Sequence, residues 1–112
     1  MGMIKHNAIV ITSWHSQAIT DALNKAKEIG LHTTDIGASA VNGYRSFLVC
    51  PDGGKEGWEL SSDFDAKRLV FKEWLRMMCS DNMHLEWVEI SYSNNVETAR
   101  IVNDAWHTEE GI

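Results

Sequence analysis

The side chains that could do chemistry in this sequence are two cysteines, five histidines and several carboxylates. Cys50 follows a β-rich run and precedes Pro51, an arrangement that resembles an activated thiol at the end of a strand. A nucleophile also needs an adjacent base, and a lone cysteine in this position usually belongs to the core. We therefore expect Cys50 and Cys79 to be reduced thiols without a catalytic role.

Metal and phosphate sites each require a characteristic spacing. No two histidines form an i, i+4 pair or lie near a cysteine pair, so the spacing does not predict zinc. Gly53-Gly54-Lys55 resembles part of a phosphate loop but lacks its remaining spacing and the Ser or Thr after the Lys. Asp63 and Asp65, with Glu59 nearby, could hold a hard metal, although helix capping accounts for them. We predict no cofactor, no metal and no enzymatic activity.

The five tryptophans are the other chemical signal. Trp74 has the spacing of a helix core residue, whereas Trp58 lies in a polar loop. Trp87 is predicted on the sheet face away from the helices, where Glu86 and Glu89 would repel phosphates. Such an aromatic on an acidic sheet favours a protein–protein or dimer interface. The alternative is a Trp87 covered by the C-terminal tail.

The composition restricts the class of protein. A chain of 112 residues with 44% hydrophobic and 23% charged residues is typical of one globular domain, with residues 1–6 and 105–112 expected as frayed tails. The formal net charge of −6 disfavours nucleic acid and anionic membranes as partners. Neither a signal peptide nor a membrane span is recognisable, so we expect a soluble cytoplasmic protein.

The N-terminal half predicts a strand, a helix and a hairpin. Residues 8–12 are rich in β-branched side chains, and the apolar residues that follow recur at helical spacing from an N-cap at Ser13 or Ser16 to a C-cap at Gly30. Asn42-Gly43 then predicts a tight turn. It joins a weak edge strand over 36–41 to a more central strand over 44–50. Which face of that central strand meets the helices stays open.

The C-terminal half predicts a second helix and one or two strands. After a loop over 51–58, Ser61, Ser62 or Asp63 would cap a helix that ends near Ser80. Its predicted apolar face consists of Val70, Phe71, Trp74, Leu75, Met77 and Met78. Its predicted outer face consists of Arg68, Lys72, Glu73 and Arg76.

The remaining chain completes the predicted fold. Residues 85–92 alternate as a strand does, and residues 97–102 favour a fifth strand, with a short helix as the alternative. The order βαββαβ predicts an α+β protein of the ferredoxin-like type, an antiparallel sheet with two helices on one face and a possible extra C-terminal strand. This fold carries many unrelated functions and therefore predicts none.

Three segments also resemble a group of small proteins encoded by bacteriophages and prophages. They are Asn42-Gly43-Tyr44-Arg45-Ser46-Phe47, the loop 51–58 and Trp87-Val88-Glu89, and the likeness extends over about residues 7–94. Cys50 stands where a smaller residue is expected. The resemblance implies a phage accessory protein, made in the host cytoplasm and dispensable for particle assembly, and it implies no particular activity.

These observations predict a non-enzymatic interaction module, which inhibits or modulates a host protein such as a defence factor. The expected partner is a host protein or a second copy, bound through the loop 51–58 or the uncovered sheet face. The predicted binding residues are Asp52, Lys55, Glu56, Trp58, Trp87 and Glu89, with Trp58 as the anchor. The alternative is a protein that sequesters a small ligand or nucleotide, gripping phosphates with Arg45 and Lys55.

Overall fold

The computed structural model describes residues 5–53, 59–80, 84–93 and 100–104. In this part of the chain the protein is α+β, with five antiparallel strands in one sheet and two helices. The elements follow in the order β1 (Lys5–Ser13), α1 (Ser16–Ile29), β2 (Gly37–Ala38), β3 (Arg45–Val49), α2 (Glu59–Ser80), β4 (Glu86–Ser93) and β5 (Arg100–Asp104).

The sheet has the strand order β2-β3-β1-β4-β5, and each strand is antiparallel to its neighbours. β1 is central, since Ile11 is the register partner of Phe47 on one side and of Trp87 on the other. The C-terminal segment forms a strand, β5, as favoured over a helix, although it covers Arg100–Asp104. β1 begins at Lys5, inside the segment 1–6 that is expected to fray.

One face of the sheet carries the hydrophobic core. Ile9 and Ile11 of β1 are fully buried, and they cluster with apolar residues of both helices. Because register partners lie on the same face of a sheet, Phe47, Val49 and Trp87 share this covered face. This settles the orientation of β3, whose Phe47 and Val49 point to the helices.

Helix α1 begins one residue after an unexpected N-cap. The Nδ1 atom of His15 accepts a hydrogen bond from the backbone N–H of Ala18 at 3.1 Å. The predicted caps, Ser13 and Ser16, do not have this role, because Ser13 is buried and donates to the carbonyl oxygen of His84 at 2.8 Å. The predicted C-cap is confirmed, since Gly30 adopts a left-handed conformation with φ of 103°.

The predicted turn between β2 and β3 is present with a longer loop. Asn42 and Gly43 have φ of 66° and 68°, as the Asn-Gly pair predicts. The paired part of β2 is restricted to Gly37–Ala38, and the Ser39 N–H donates to the Tyr44 carbonyl at 2.8 Å. β2 is an edge strand and β3 an internal one, as expected.

The His15 cap predicts a specific response to substitution. Replacing a capping side chain by Ala leaves a helix N–H without its acceptor and destabilises a protein by about 1 kcal/mol. For His15→Ala we expect this decrease in the free energy of unfolding, measured by urea unfolding with circular dichroism as the signal. His15→Asn, the matched control, restores an acceptor and should be within about 0.5 kcal/mol of the wild type. Equal stability of the Ala and Asn variants would exclude a capping role.

Candidate functional site

Five charged side chains meet between α2, β4 and the segment after β3, and we call them the buried ionic cluster: Asp52, Asp65, Arg68, Lys72 and Glu89. Arg68 Nη1 donates to Asp52 Oδ2 at 3.0 Å, and its Nη2 donates to Asp65. Its Nε lies 3.9 Å from Glu89 Oε2. Lys72 Nζ donates to Glu89 Oε1 at 2.7 Å. Glu89 therefore contacts both cations.

The cluster is assembled by local geometry in each element. Arg68 and Lys72 are four residues apart, so they lie on the same side of α2. Glu89 is the register partner of Ile9, which places its carboxylate on the covered face of the sheet. Asp52 lies three residues after the end of β3. One arginine thus joins a helix, a strand and a loop that are distant in sequence.

Burial makes this cluster energetically important. The side chains of Arg68, Lys72, Glu89 and Asp52 are at most 10% exposed, whereas Asp65 is 57% exposed. Two cations and two anions are therefore removed from water together, and their charges balance. Removal of one partner from such a group leaves an uncompensated buried charge and costs about 3–5 kcal/mol. The cluster holds α2 and the segment after β3 against the sheet.

The cluster corrects the predicted orientation of α2. Its predicted outer residues Arg68 and Lys72 are buried, while Val70 and Met77 of the predicted apolar face are 51% and 59% exposed. Hydrophobic periodicity misplaces this face because Glu89 and Asp52 supply buried carboxylates that the cations approach. Helix α2 also begins at Glu59, so the predicted caps Ser61, Ser62 and Asp63 lie within its first turns.

The structure places the predicted binding residues in different parts of the protein. Asp52 and Glu89 are brought together by Arg68, but both are buried in ion pairs. Trp87 is 4% exposed in the core. The expectation that Trp87 and Glu89 lie on the uncovered face is wrong, because both project from β4 toward the helices. The other three predicted residues, Lys55, Glu56 and Trp58, lie outside the described residues.

Sequence reasoning missed Arg68 and Lys72. Two basic residues four apart beside the core residues Phe71 and Leu75 are the signal that could have indicated them. A carboxylate in the middle of a β-rich strand, Glu89, is the matching half of that signal.

The thiol of Cys79 belongs to the packing of α2 against β4. It donates to the carbonyl oxygen of Leu85 with Sγ and O 3.3 Å apart. Burial raises the pKa of Cys79, and the indole N–H of Trp87 only partly opposes that effect. Cys50 and Cys79 are both free, as expected. A thiol with a raised pKa is a poor nucleophile at neutral pH.

The face of the sheet opposite the core presents a second candidate site. We call it the open sheet face and define it by Val10, Leu48, Val88, Ile90, Tyr92 and Ile101. Tyr92 is 38% and Ile101 64% exposed, and the other four are half-buried. A shallow cavity of about 310 Å³ indents this part of the sheet, and it is lined by Val10, Thr12, Glu86, Trp87 and Val88.

Comparison with known proteins gives no relative from which to transfer a function. No protein-family model matches the chain, and neither curated proteins nor solved structures include a significant match.

Metal ligation requires several donor side chains that converge on one point. Among the described residues, no group of three or more His, Cys, Asp or Glu side chains has an arrangement that could hold a metal ion. Neither of the two helices described has a stretch long and apolar enough to cross a bilayer.

Replacement of Arg68 tests the buried ionic cluster. Arg68→Met retains most of the apolar stem but leaves Asp52 and Glu89 without a shared cation, so we expect a loss of about 3–5 kcal/mol in the free energy of unfolding. The measurement is urea unfolding at pH 7. Asp65→Asn is the control, since an exposed ion pair contributes at most about 1 kcal/mol. A loss below about 1 kcal/mol for Arg68→Met would contradict the assignment.

The raised pKa of Cys79 predicts the pH dependence of both reactivity and stability. In Cys50→Ser, a disulfide reagent should modify native Cys79 more slowly at pH 8 than the urea-unfolded chain. Folding favours the protonated thiol of Cys79. Its contribution to the free energy of unfolding is therefore fully present below the pKa of the unfolded chain and is lost as the pH rises through the pKa of the folded protein. Equal reaction rates for the native and unfolded chain would contradict the burial of this thiol.

Proposed function

We propose that the protein is a non-enzymatic interaction module that binds another protein through its open sheet face. The observation that carries this proposal is a continuous set of half-buried and exposed apolar side chains across neighbouring strands. Val10 is the register partner of both Leu48 and Val88. Ile90, on the same face as Val88, is the register partner of Ile101. Four strands thus contribute adjacent apolar side chains to one surface.

The physical chemistry of this surface suits binding. Single exposed apolar residues are normal on soluble proteins, whereas a contiguous patch indicates an interaction site. Burial of such a patch contributes about 25 cal/mol per Å² of apolar surface. Valine and isoleucine have few rotamers, so ordering them at an interface costs little entropy. The hydrogen-bonded strands that carry these side chains restrict their backbone.

The kind of partner follows from charge and from the resemblance to phage-encoded proteins. A net charge of −6 favours association with a basic protein surface. The resemblance supports a phage origin, a host protein in the cytoplasm as the target, and inhibition or modulation of that target as the outcome. Together they extend the proposal to a phage-type inhibitor of a host factor.

We also propose that the fold is a ferredoxin-like sandwich with one added strand. The order β2-β3-β1-β4, with antiparallel neighbours, is the order that a split βαββαβ chain requires. Residues of both helices cluster with a single face of the sheet. β5 then extends the sheet beyond β4 and enlarges the open sheet face.

Affinity capture with face-specific variants tests the proposed function. The tagged protein is incubated with lysate of a bacterial host, and captured proteins are identified by mass spectrometry. Val88→Thr combined with Ile101→Thr removes apolar surface while keeping β-branched residues, so we expect loss of the captured partner from a folded protein. Val70→Gln with Met77→Gln, on the exposed side of α2, is the matched control and should retain the partner.

Two outcomes would contradict the open sheet face as the binding surface. One is full capture by the Val88→Thr, Ile101→Thr variant. The other is loss of capture only in Trp58→Ala, which would move the site to the loop 51–58.

A further inference from the structure

We propose that the cavity on the open sheet face receives an arginine side chain of the partner. This inference rests on the proposed function and specifies the chemistry of its partner. The cavity lies over two adjacent register pairs of β1 and β4, Val10 with Val88 and Thr12 with Glu86. Trp87 also lines the cavity, but its side chain projects to the covered face. The other lining side chains change along the strands from two valines to a hydroxyl and a carboxylate.

This lining matches an amphipathic side chain. Arginine packs its methylene stem against apolar surface and keeps its guanidinium at a polar rim. In the cavity the stem would lie on Val10 and Val88, and the guanidinium would reach the carboxylate of Glu86. Thr12 lines the same end of the cavity as Glu86, and its Oγ1 atom lies 2.8 Å from Ser46 Oγ.

The charge of this surface selects a cation. Among the side chains that the structure describes on the open sheet face and in its cavity, Glu86 is the one carboxylate, and no lysine or arginine accompanies it. Arginine is preferred over lysine because its planar guanidinium binds a carboxylate with two parallel hydrogen bonds. Arginine is also enriched among the residues that dominate interfaces.

The same charge argues against a second copy as the occupant. Two identical chains would each bring a net charge of −6, and like charges oppose their association. The volume of about 310 Å³ is at the lower limit for small-molecule pockets, and the cavity is shallow. One long side chain on a partner protein therefore suits it better than a free ligand of drug size.

An NMR titration tests this assignment with defined probes. The ¹⁵N-labelled protein is titrated with the blocked tripeptide Ac-Leu-Arg-Leu-NH₂ and with the same peptide carrying citrulline, a neutral analogue of arginine. We expect saturable shifts of the amides of residues 10–12 and 86–88 with the arginine peptide and weaker binding of the citrulline peptide. Glu86→Gln should weaken the arginine peptide roughly fivefold, as loss of an exposed ion pair predicts.

Matched variants separate this proposal from the proposed function. Glu73→Gln, an exposed carboxylate of α2, should leave the titration unchanged. Absence of saturable shifts at the cavity, or equal affinity of Glu86→Gln and the wild type, overturns the arginine assignment while the capture experiment still decides the binding face. Sedimentation that shows a dimer, broken by Ile101→Thr, also overturns it, because the occupant is then a second copy.

Discussion

The burial of one carboxylate, Glu89 in the middle of β4, determines how the rest of this protein is arranged. A buried charge must be compensated, and the side chains that can do so here are Arg68 and Lys72 of α2. This requirement fixes the rotation of α2 and the face of β4 that meets it. Arg68 then extends the same compensation to Asp52, which ties the chain after β3 to the helix.

Successive side chains of a strand point to opposite faces of the sheet, so the orientation of Glu89 determines that of every other residue in β4. If Glu89 points to the helices, Trp87 must do so as well, while Val88 and Ile90 point to the other side. The polar side chain is thus placed in the core and the apolar ones on the open sheet face. This arrangement reverses the usual amphipathic strand, and it explains why a patch of valine and isoleucine is left on the surface.

Local signals in the sequence were sufficient for most of the elements. Gly30 and Asn42-Gly43 predict backbone conformations that few other residues adopt, and the structure has both. The rotation of α2 and the orientation of β4 could not be predicted in the same way. Hydrophobic periodicity along α2 predicts that Arg68 points to solvent, because the carboxylates that pair with it lie on segments distant in sequence. Alternation along β4 puts Trp87 and Glu89 on the same face, but nothing local to the strand indicates that this face meets the helices.

The covered and open faces therefore differ in their chemistry. Charge compensation within the covered face uses buried groups that a partner cannot reach, so it stabilises the fold without adding a ligand site. The recognition that we propose uses the open sheet face, where apolar side chains surround a cavity with a single described carboxylate at its rim. A surface of that kind gains affinity from apolar burial and specificity from one charge. In this protein the interaction that holds the helices in place also determines which apolar side chains of β4 lie on the open sheet face.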